Sequence, residues 1–180
     1  MTRTTFYTAT TLDGYIADEH DSLDWLLSQP QGEGGPMNYN DFIATIGAIC
    51  MGATTYEWIL RYQTEVGEAW AYDMPAFVFT HRTLGLMEGA DVRFVSGDVV
   101  SVHEAMVEAA GGKDLWVVGG GDLAAQFAEE RLLDEIIVAI APVTLGSGRP
   151  LFPRRFDLKL TELAQNGVFA CARYEVMGAR

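Results

Sequence analysis

Cysteine, basic side chains and long apolar runs are all scarce in this chain, and each scarcity excludes a class of protein. The two cysteines, Cys50 and Cys171, lie in apolar segments with no CxxC spacing. They read as buried free thiols in a reducing compartment, the cytoplasm, rather than as a disulfide framework or a redox pair. Lysine and arginine total 12 against 25 aspartates and glutamates, for a net charge of −13. An excess of that size repels phosphate backbones and anionic lipid, so neither nucleic acid nor a membrane surface is expected as a partner. No apolar run approaches the roughly 18 to 20 residues that cross a bilayer. The start, Met1-Thr2-Arg3-Thr4-Thr5, has no basic region followed by an apolar stretch, so no secretory signal is expected. His20 and His103 read as solvated surface residues, and no metal-ligand spacing occurs.

What is present fits one globular domain over residues 1–180, with 49% hydrophobic and 21% charged residues, long enough to bury a core without staples. The one loose stretch, 28–38, carries Pro30, Gly32, Gly34, Gly35 and Pro36 and reads as a long surface loop within the domain. Elsewhere strand and helix patterns alternate. Strands are predicted at 4–10, 48–51, 76–79, 92–95, 115–118 and 135–141, and helices at 39–46, 54–61, 98–109 and 122–130. The third of these helices sets Val99, Val102, Met106 and Ala109 on one face with Asp98 as N-cap. A hairpin turning at Asn166-Gly167 closes the chain, with Val168, Ala170, Ala172, Tyr174 and Val176 along one face. The pattern predicts an α/β fold with a mostly parallel sheet, helices on both faces and an antiparallel hairpin at the edge, where two subunits could meet as a homodimer.

Three strand ends carry groups suited to anions, and ligands of open α/β sheets collect at strand C-termini. In 115–123 a buried strand runs through Gly119-Gly120-Gly121 into Asp122-Leu123 and a helix. Glycines there let a bulky group approach the main chain, where free N–H groups of the helix start point at it; the segment serves either a pyrophosphate or a tight connection. It lacks GxGxxG spacing and the acidic residue about 20 positions on that marks a Rossmann domain. In Met51-Gly52-Ala53-Thr54-Thr55-Tyr56-Glu57, Thr54 or Thr55 either caps the helix, with Glu57 completing a capping box, or donates to a phosphate. In Phe79-Thr80-His81-Arg82, Arg82 offers a planar fork for a phosphate monoester or is a solvated loop arginine.

The order of these segments is that of a known family. Ala9-Thr10-Thr11-Leu12-Asp13-Gly14-Tyr15-Ile16-Ala17, Met51-Gly52 with Thr55-Tyr56-Glu57, and Val118-Gly119-Gly120-Gly121 with Gln126-Phe127 come first. Leu133-Asp134-Glu135 and Ala141-Pro142-Val143-Thr144-Leu145-Gly146-Ser147-Gly148-Arg149-Pro150-Leu151-Phe152 follow. With this series the chain resembles the dihydrofolate-reductase-like family, and within it the proteins related to the C-terminal reductase domain of bacterial riboflavin biosynthesis. The resemblance implies a three-layer fold with a central sheet of about eight strands and NADPH laid across the strand ends. It assigns Gly52, Thr54 and Thr55 to the pyrophosphate and adenosine side, and Thr80, His81 and Arg82 to the 2′-phosphate. It assigns Gly120, Gly121, Asp122 and Leu123 to the second pyrophosphate clamp, Gly119 to the cofactor contacts, and Ala9, Ile16, Ala17 and Val118 to the nicotinamide. It also implies a cis peptide at Gly119–Gly120. Ala53 stands where the family carries a basic residue, and Asp122 where dihydrofolate reductase carries arginine.

The resemblance implies an NADPH-dependent oxidoreductase that passes a hydride to a small heterocycle. The nearest models are 5-amino-6-(5-phosphoribosylamino)uracil reductase and a pterin or dihydrofolate reductase. The stretch 36–40 lacks the carboxylate that dihydrofolate reductase places before its Met-Gly strand, and Val118 replaces the glutamate of the riboflavin-pathway Glu-Gly-Gly. Candidates for polar work in a substrate pocket are Asp13, Asp24, Trp25, Tyr39 and Tyr56, with no catalytic residue assigned. The alternative is a dinucleotide- or flavin-binding module that keeps the fold without the chemistry.

Overall fold

The computed structural model describes residues 1–32 and 34–179; Glu33, inside the predicted 28–38 loop, and Arg180 lie outside them. The chain opens with strand β1 (Thr4–Thr11), short strand β2 (Tyr15–Ala17) and short helices α1 (Asp24–Leu27) and α2 (Tyr39–Ala44). Next come β3 (Ile46–Gly52), α3 (Ala53–Val66), β4 (Ala76–Phe79), β5 (Val92–Val95), α4 (Val99–Ala109) and β6 (Asp114–Gly119). Helix α5 (Gly121–Glu129), β7 (Glu135–Ala141), the two-residue β8 (Arg149–Pro150) and the hairpin β9 (Phe156–Asn166) and β10 (Phe169–Ala179) complete it. Eight strands form one sheet in the order β5-β4-β3-β6-β1-β7-β10-β9. It is parallel from β5 to β7 and antiparallel from β7 to β9, so the fold is the α/β sheet with a hairpin edge that the sequence pattern predicts.

Strands covered on both faces must be apolar on both, and the alternation shows it. In β3, Ala48 and Cys50 face one core while Ile49 and Met51 face the other; in β6, Leu115 and Val117 oppose Trp116 in the same way. Helices α4 and α5 cover the first face with Val102, Met106, Leu123 and Phe127, and α2 and α3 cover the second with Phe42, Tyr56 and Ile59. Asp98 caps α4 by accepting from the Ser101 amide at 2.9 Å. Both cysteines are free and buried. Among the described residues no helix is long and apolar enough to cross a membrane.

Four local expectations change. Helix α3 starts at Ala53 and continues to Val66, where Gly67 at φ 71° ends it. On β10, Ala172, Tyr174 and Val176 pack toward α5, but Val168 and Ala170 are exposed, since they lie in and beside the turn where no helix reaches. The opposite face of β10 is used as well: Phe169 and Cys171 are buried with Trp25. His103 is half-buried on α4 rather than solvated, its Nε2 2.9 Å from the Thr4 hydroxyl, and burial lowers its pKa against the pull of Asp134 and Glu104.

A second, two-stranded sheet joins β2 to β8 and folds the 141–152 segment back over the strand ends. Asp13 fastens it. Its carboxylate accepts from the Thr11 hydroxyl at 2.6 Å and from the Gly146 amide at 2.7 Å, with Leu145 as a third donor, and Leu151 donates to the Gly14 carbonyl at 2.9 Å. The Thr11 hydroxyl and then the Gly146 and Leu145 amides hold the Asp13 carboxyl below the usual range.

Two outcomes are expected. Phe127 is fully buried, with Phe79 and His103 edge-on at 6.2 and 6.0 Å, so Phe127→Ala should lower the unfolding free energy by about 3–5 kcal/mol in denaturant titration. Because the Asp13 pKa is depressed on folding, its contribution is complete above the unfolded value near about 4 and is lost as pH falls through the lower folded value. Thermal stability should therefore drop on acidification below about pH 4 more in the wild type than in Asp13→Asn; parallel acid profiles would free Asp13 of that role.

Candidate functional site

Strands β3 and β6 are parallel neighbours, so their C-terminal ends start α3 and α5 side by side. The N-caps are Gly52 and Gly120, and neither helix has a side-chain cap. The first-turn N–H groups of both helices therefore have no side-chain cap among the described residues. The capping box expected from Thr54 and Glu57 does not form: the helix already begins at Ala53, which puts both threonines inside its first turn. Beside these starts lies a cleft of about 440 Å³ walled by Thr54, Thr55, Val118 to Asp122, Ile16 and Ala17.

Glycine is required here by contact and by conformation. A Cβ on Gly121 would stand 2.5 Å from the carbonyl oxygens of Pro150 and Leu151. Gly120 turns the chain into α5 at φ 98°, ψ 96°, a conformation side-chain-bearing residues avoid. That positive φ makes the turn with a trans peptide: the cis bond implied at Gly119–Gly120 is not present, nor is any other among the described residues.

Each arginine near the cleft has its own acid. Arg149 on β8 lines the cleft and binds Asp21 through Nε at 2.6 Å. Arg154 holds Asp122 at 2.7 Å and also pairs with Glu129. Asp122 thus stands beside the cleft with its charge already matched, and it accepts from Gln126 at 2.8 Å. Arg82, beyond the end of β4, forms a two-point pair with Glu57 of α3 at 2.7 and 3.2 Å.

A second cavity, of about 420 Å³, adjoins the first and shares Thr8, Leu23, Thr55, Trp58 and Val118 with it. Its wall is aromatic. Trp116 of β6 anchors it, donating through Nε1 to the Tyr7 carbonyl at 3.0 Å, with Tyr39, Tyr7 and Tyr72 centred 5.9, 6.3 and 5.7 Å from its ring. Burial pushes the Tyr7 phenol up to about 12 and also raises Tyr39 and Tyr72, so all three remain protonated donors at neutral pH. The Tyr7 hydroxyl donates to the Met37 carbonyl at 3.0 Å. The side-chain amides of Gln31, Asn38 and Asn166 donate to main-chain carbonyls of the 26–36 segment and so tie down the loop that roofs the cavity.

Of the residues singled out from sequence, Ile16, Ala17, Thr54, Thr55, Val118, Gly119, Gly120, Gly121 and Asp122 surround the glycine cleft, and Ala9 and Tyr39 line the aromatic cavity. Gly52 and Leu123 lie behind the wall, one as the α3 N-cap and the other buried in the core. Thr80, His81 and Arg82 follow β4, next to β3, at the same edge but outside both cavities. Trp25 packs in the core, Tyr56 is fully buried with its hydroxyl on the Gly85 carbonyl, Asp13 clamps a loop and Asp24 is exposed on α1. Sequence reasoning missed Arg149, Trp58, Trp116, Tyr7 and Tyr72. A signal existed for two of them: Arg149 lies within the Leu-Gly-x-Gly-x-Pro-Leu-Phe run, and Trp58 sits one helical turn after Thr55.

Comparison with known proteins agrees with this geometry. The family model of the RibD C-terminal domain matches residues 4–173. Two Bacillus subtilis (strain 168) proteins whose names carry no activity are similar. YwjB is 33% identical over 83% of this chain and 82% of its own length, and YyaP is 29% identical over 84% and 82%. Among solved structures, a Shewanella sp. PV-4 protein assigned by its name to riboflavin biosynthesis superposes with a TM-score of 0.80 at 26% identity, covering 97% of this chain and 98% of that one. A Thermotoga maritima diaminohydroxyphosphoribosylaminopyrimidine deaminase/5-amino-6-(5-phosphoribosylamino)uracil reductase shares the fold at a TM-score of 0.61 and 16% identity, over 97% of this chain and 56% of that one. With glycine cleft, strand order and motif series all in place, the chain belongs to the RibD C-terminal domain family.

Proposed function

We propose that the protein is an NADPH-dependent reductase of a small planar ring compound. The observation that carries the reading is the convergence of two helix starts without side-chain caps, α3 and α5, on one glycine-walled cleft. A polyanion in a chain of net charge −13 needs donors that carboxylates cannot neutralise, and first-turn amides are such donors. The cradle fits a dinucleotide: Gly120 and Gly121 expose main chain, and the hydroxyls of Thr54 and Thr55 stand in the cleft wall. In this reading the amides of α3 and α5 hold the diphosphate with Arg149 beside it, and Ala9, Ile16, Ala17 and Val118 flank the nicotinamide. Arg82, with Thr80 and His81, takes the 2′-phosphate. When bound, the cofactor supplies a hydride. The shared wall of Thr8, Thr55 and Val118 then sets the acceptor cavity directly against it.

One observation favours a second reading, a binding module without turnover: among the described residues lining the acceptor cavity none is ionised at neutral pH, so no carboxylate or imidazole stands ready to manage a proton. Titration with NADPH followed by an acceptor screen separates the two, since uptake without oxidation of any acceptor supports the module. Absence of NADPH and NADH uptake by folded protein overturns both.

We also propose a homodimer through β9. Leu158, Leu160 and Leu163 are 42, 50 and 68% exposed along an edge strand of 11 residues, an apolar edge that a two-fold copy would cover.

Two outcomes follow. Arg82→Ala should raise the Kd for NADPH by roughly tenfold or more and leave NADH within about twofold, while Glu57→Gln, which releases Arg82, should tighten NADPH selectively. Equal losses for both nucleotides would remove Arg82 from the 2′-phosphate. Leu160→Glu should convert a dimer to a monomer in sedimentation; a monomeric wild type at micromolar concentration would overturn the β9 interface.

A further inference from the structure

The acceptor cavity has an unusual chemical make-up for a family whose solved members include a reductase of a phosphoribosyl compound. Its described lining contains no lysine, arginine or histidine to meet a phosphate, and no carboxylate to hold an amine. Its side-chain amides have their donors turned to the main chain of the roofing loop. Pairing of Arg149 with Asp21, and of Arg154 with Asp122 and Glu129, leaves no uncommitted cation among the described residues at the adjoining cleft wall either. An ionised group brought into such a cavity loses its hydration and gains no counter-charge, inside a molecule that already carries −13.

Of the three tyrosine hydroxyls that line the cavity, two remain for a ligand. The hydroxyls of Tyr39 and Tyr72 make no hydrogen bond within the described protein, unlike that of Tyr7, which is spent on Met37. Both phenols stay protonated, and both rings pack edge-on to Trp116. The cavity thus offers flat apolar walls from Trp116, Trp58 and Phe169 together with two O–H donors, an arrangement suited to a conjugated ring edged with carbonyl oxygens.

We infer that the acceptor is an uncharged, planar conjugated carbonyl compound of the quinone type, held by Tyr39 and Tyr72, and not a phosphorylated pyrimidine. The inference rests on the dinucleotide reading of the adjoining cleft. The ring takes a hydride from the reduced nicotinamide, so that NADPH and quinone give NADP⁺ and the hydroquinone monoanion, which takes one proton from solvent to become the hydroquinone.

The test uses full-length protein saturated with NADP⁺, which blocks turnover, and reads quenching of tryptophan fluorescence. The probes are 2-methyl-1,4-naphthoquinone and 1,4-naphthoquinone-2-sulfonate, which place a methyl or a fixed negative charge on the same ring. The neutral quinone is expected to bind at least about tenfold more tightly than the sulfonate. Tyr39→Phe and Tyr72→Phe should each weaken it roughly three- to tenfold while the Kd for NADPH and the melting temperature hold. Equal or tighter binding of the sulfonate overturns the inference, as does failure of the neutral quinone to bind. Loss of affinity for the neutral ring in neither tyrosine variant removes their role and overturns it too. NADPH affinity, measured separately on the same samples, reports on the dinucleotide reading alone.

Discussion

A strongly acidic chain can hold a polyphosphate only through groups whose positive ends its own carboxylates cannot reach and cancel. Here each arginine near the candidate site already faces an acid with which a phosphate must compete: Arg82 faces Glu57, Arg149 faces Asp21, and Arg154 faces Asp122 and Glu129. Backbone amides at a helix start satisfy it, because their dipoles are fixed by the helix and carry no exchangeable partner. Everything at the candidate site follows from setting two such starts together. Parallel pairing of β3 with β6 does this, since it ends both strands at one level and launches α3 and α5 from adjacent positions.

The same pairing determines the neighbouring cavity. Side chains in β6 alternate, so Val117 enters the core beneath α5 while Trp116 and Val118 point toward α3 and the roofing loop. Trp116 then collects Tyr7, Tyr39 and Tyr72 around its ring. Burial raises the pKa of these phenols, and no described side chain of the wall is a lysine, arginine, histidine or carboxylate. One cavity is therefore bordered by two helix starts, the other has no charged side chain among its described lining, and they meet along Thr8, Thr55, Trp58 and Val118.

Much of the architecture was legible from local pattern. Residues 76–79, 92–95 and 135–141 are strands with the bounds their apolar runs predict, and Asp98 caps α4 as its position before that apolar face requires. Local rules misled where two of them competed. Thr54 and Glu57 have capping-box spacing, but glycine at position 52 lets the helix begin earlier, and Glu57 finds a stronger partner 25 residues on in Arg82. Trp25, Tyr56 and Asp13 have the chemistry of pocket residues, yet each is taken up by packing or by a loop clamp. Tyr39 differs only in where α2 comes to rest.

The sequence by itself determined the strand–helix alternation, the glycine-bearing strand ends, the acidic charge balance and the family motifs, because each is written in neighbouring residues and their period. Tertiary structure alone decided which acid each arginine at the site meets, that β8 closes over Gly121, and that tyrosines 7, 39 and 72 share one tryptophan. Those outcomes join residues 25 to 128 positions apart, and no local propensity encodes which distant side chain will arrive first at a given charge or ring.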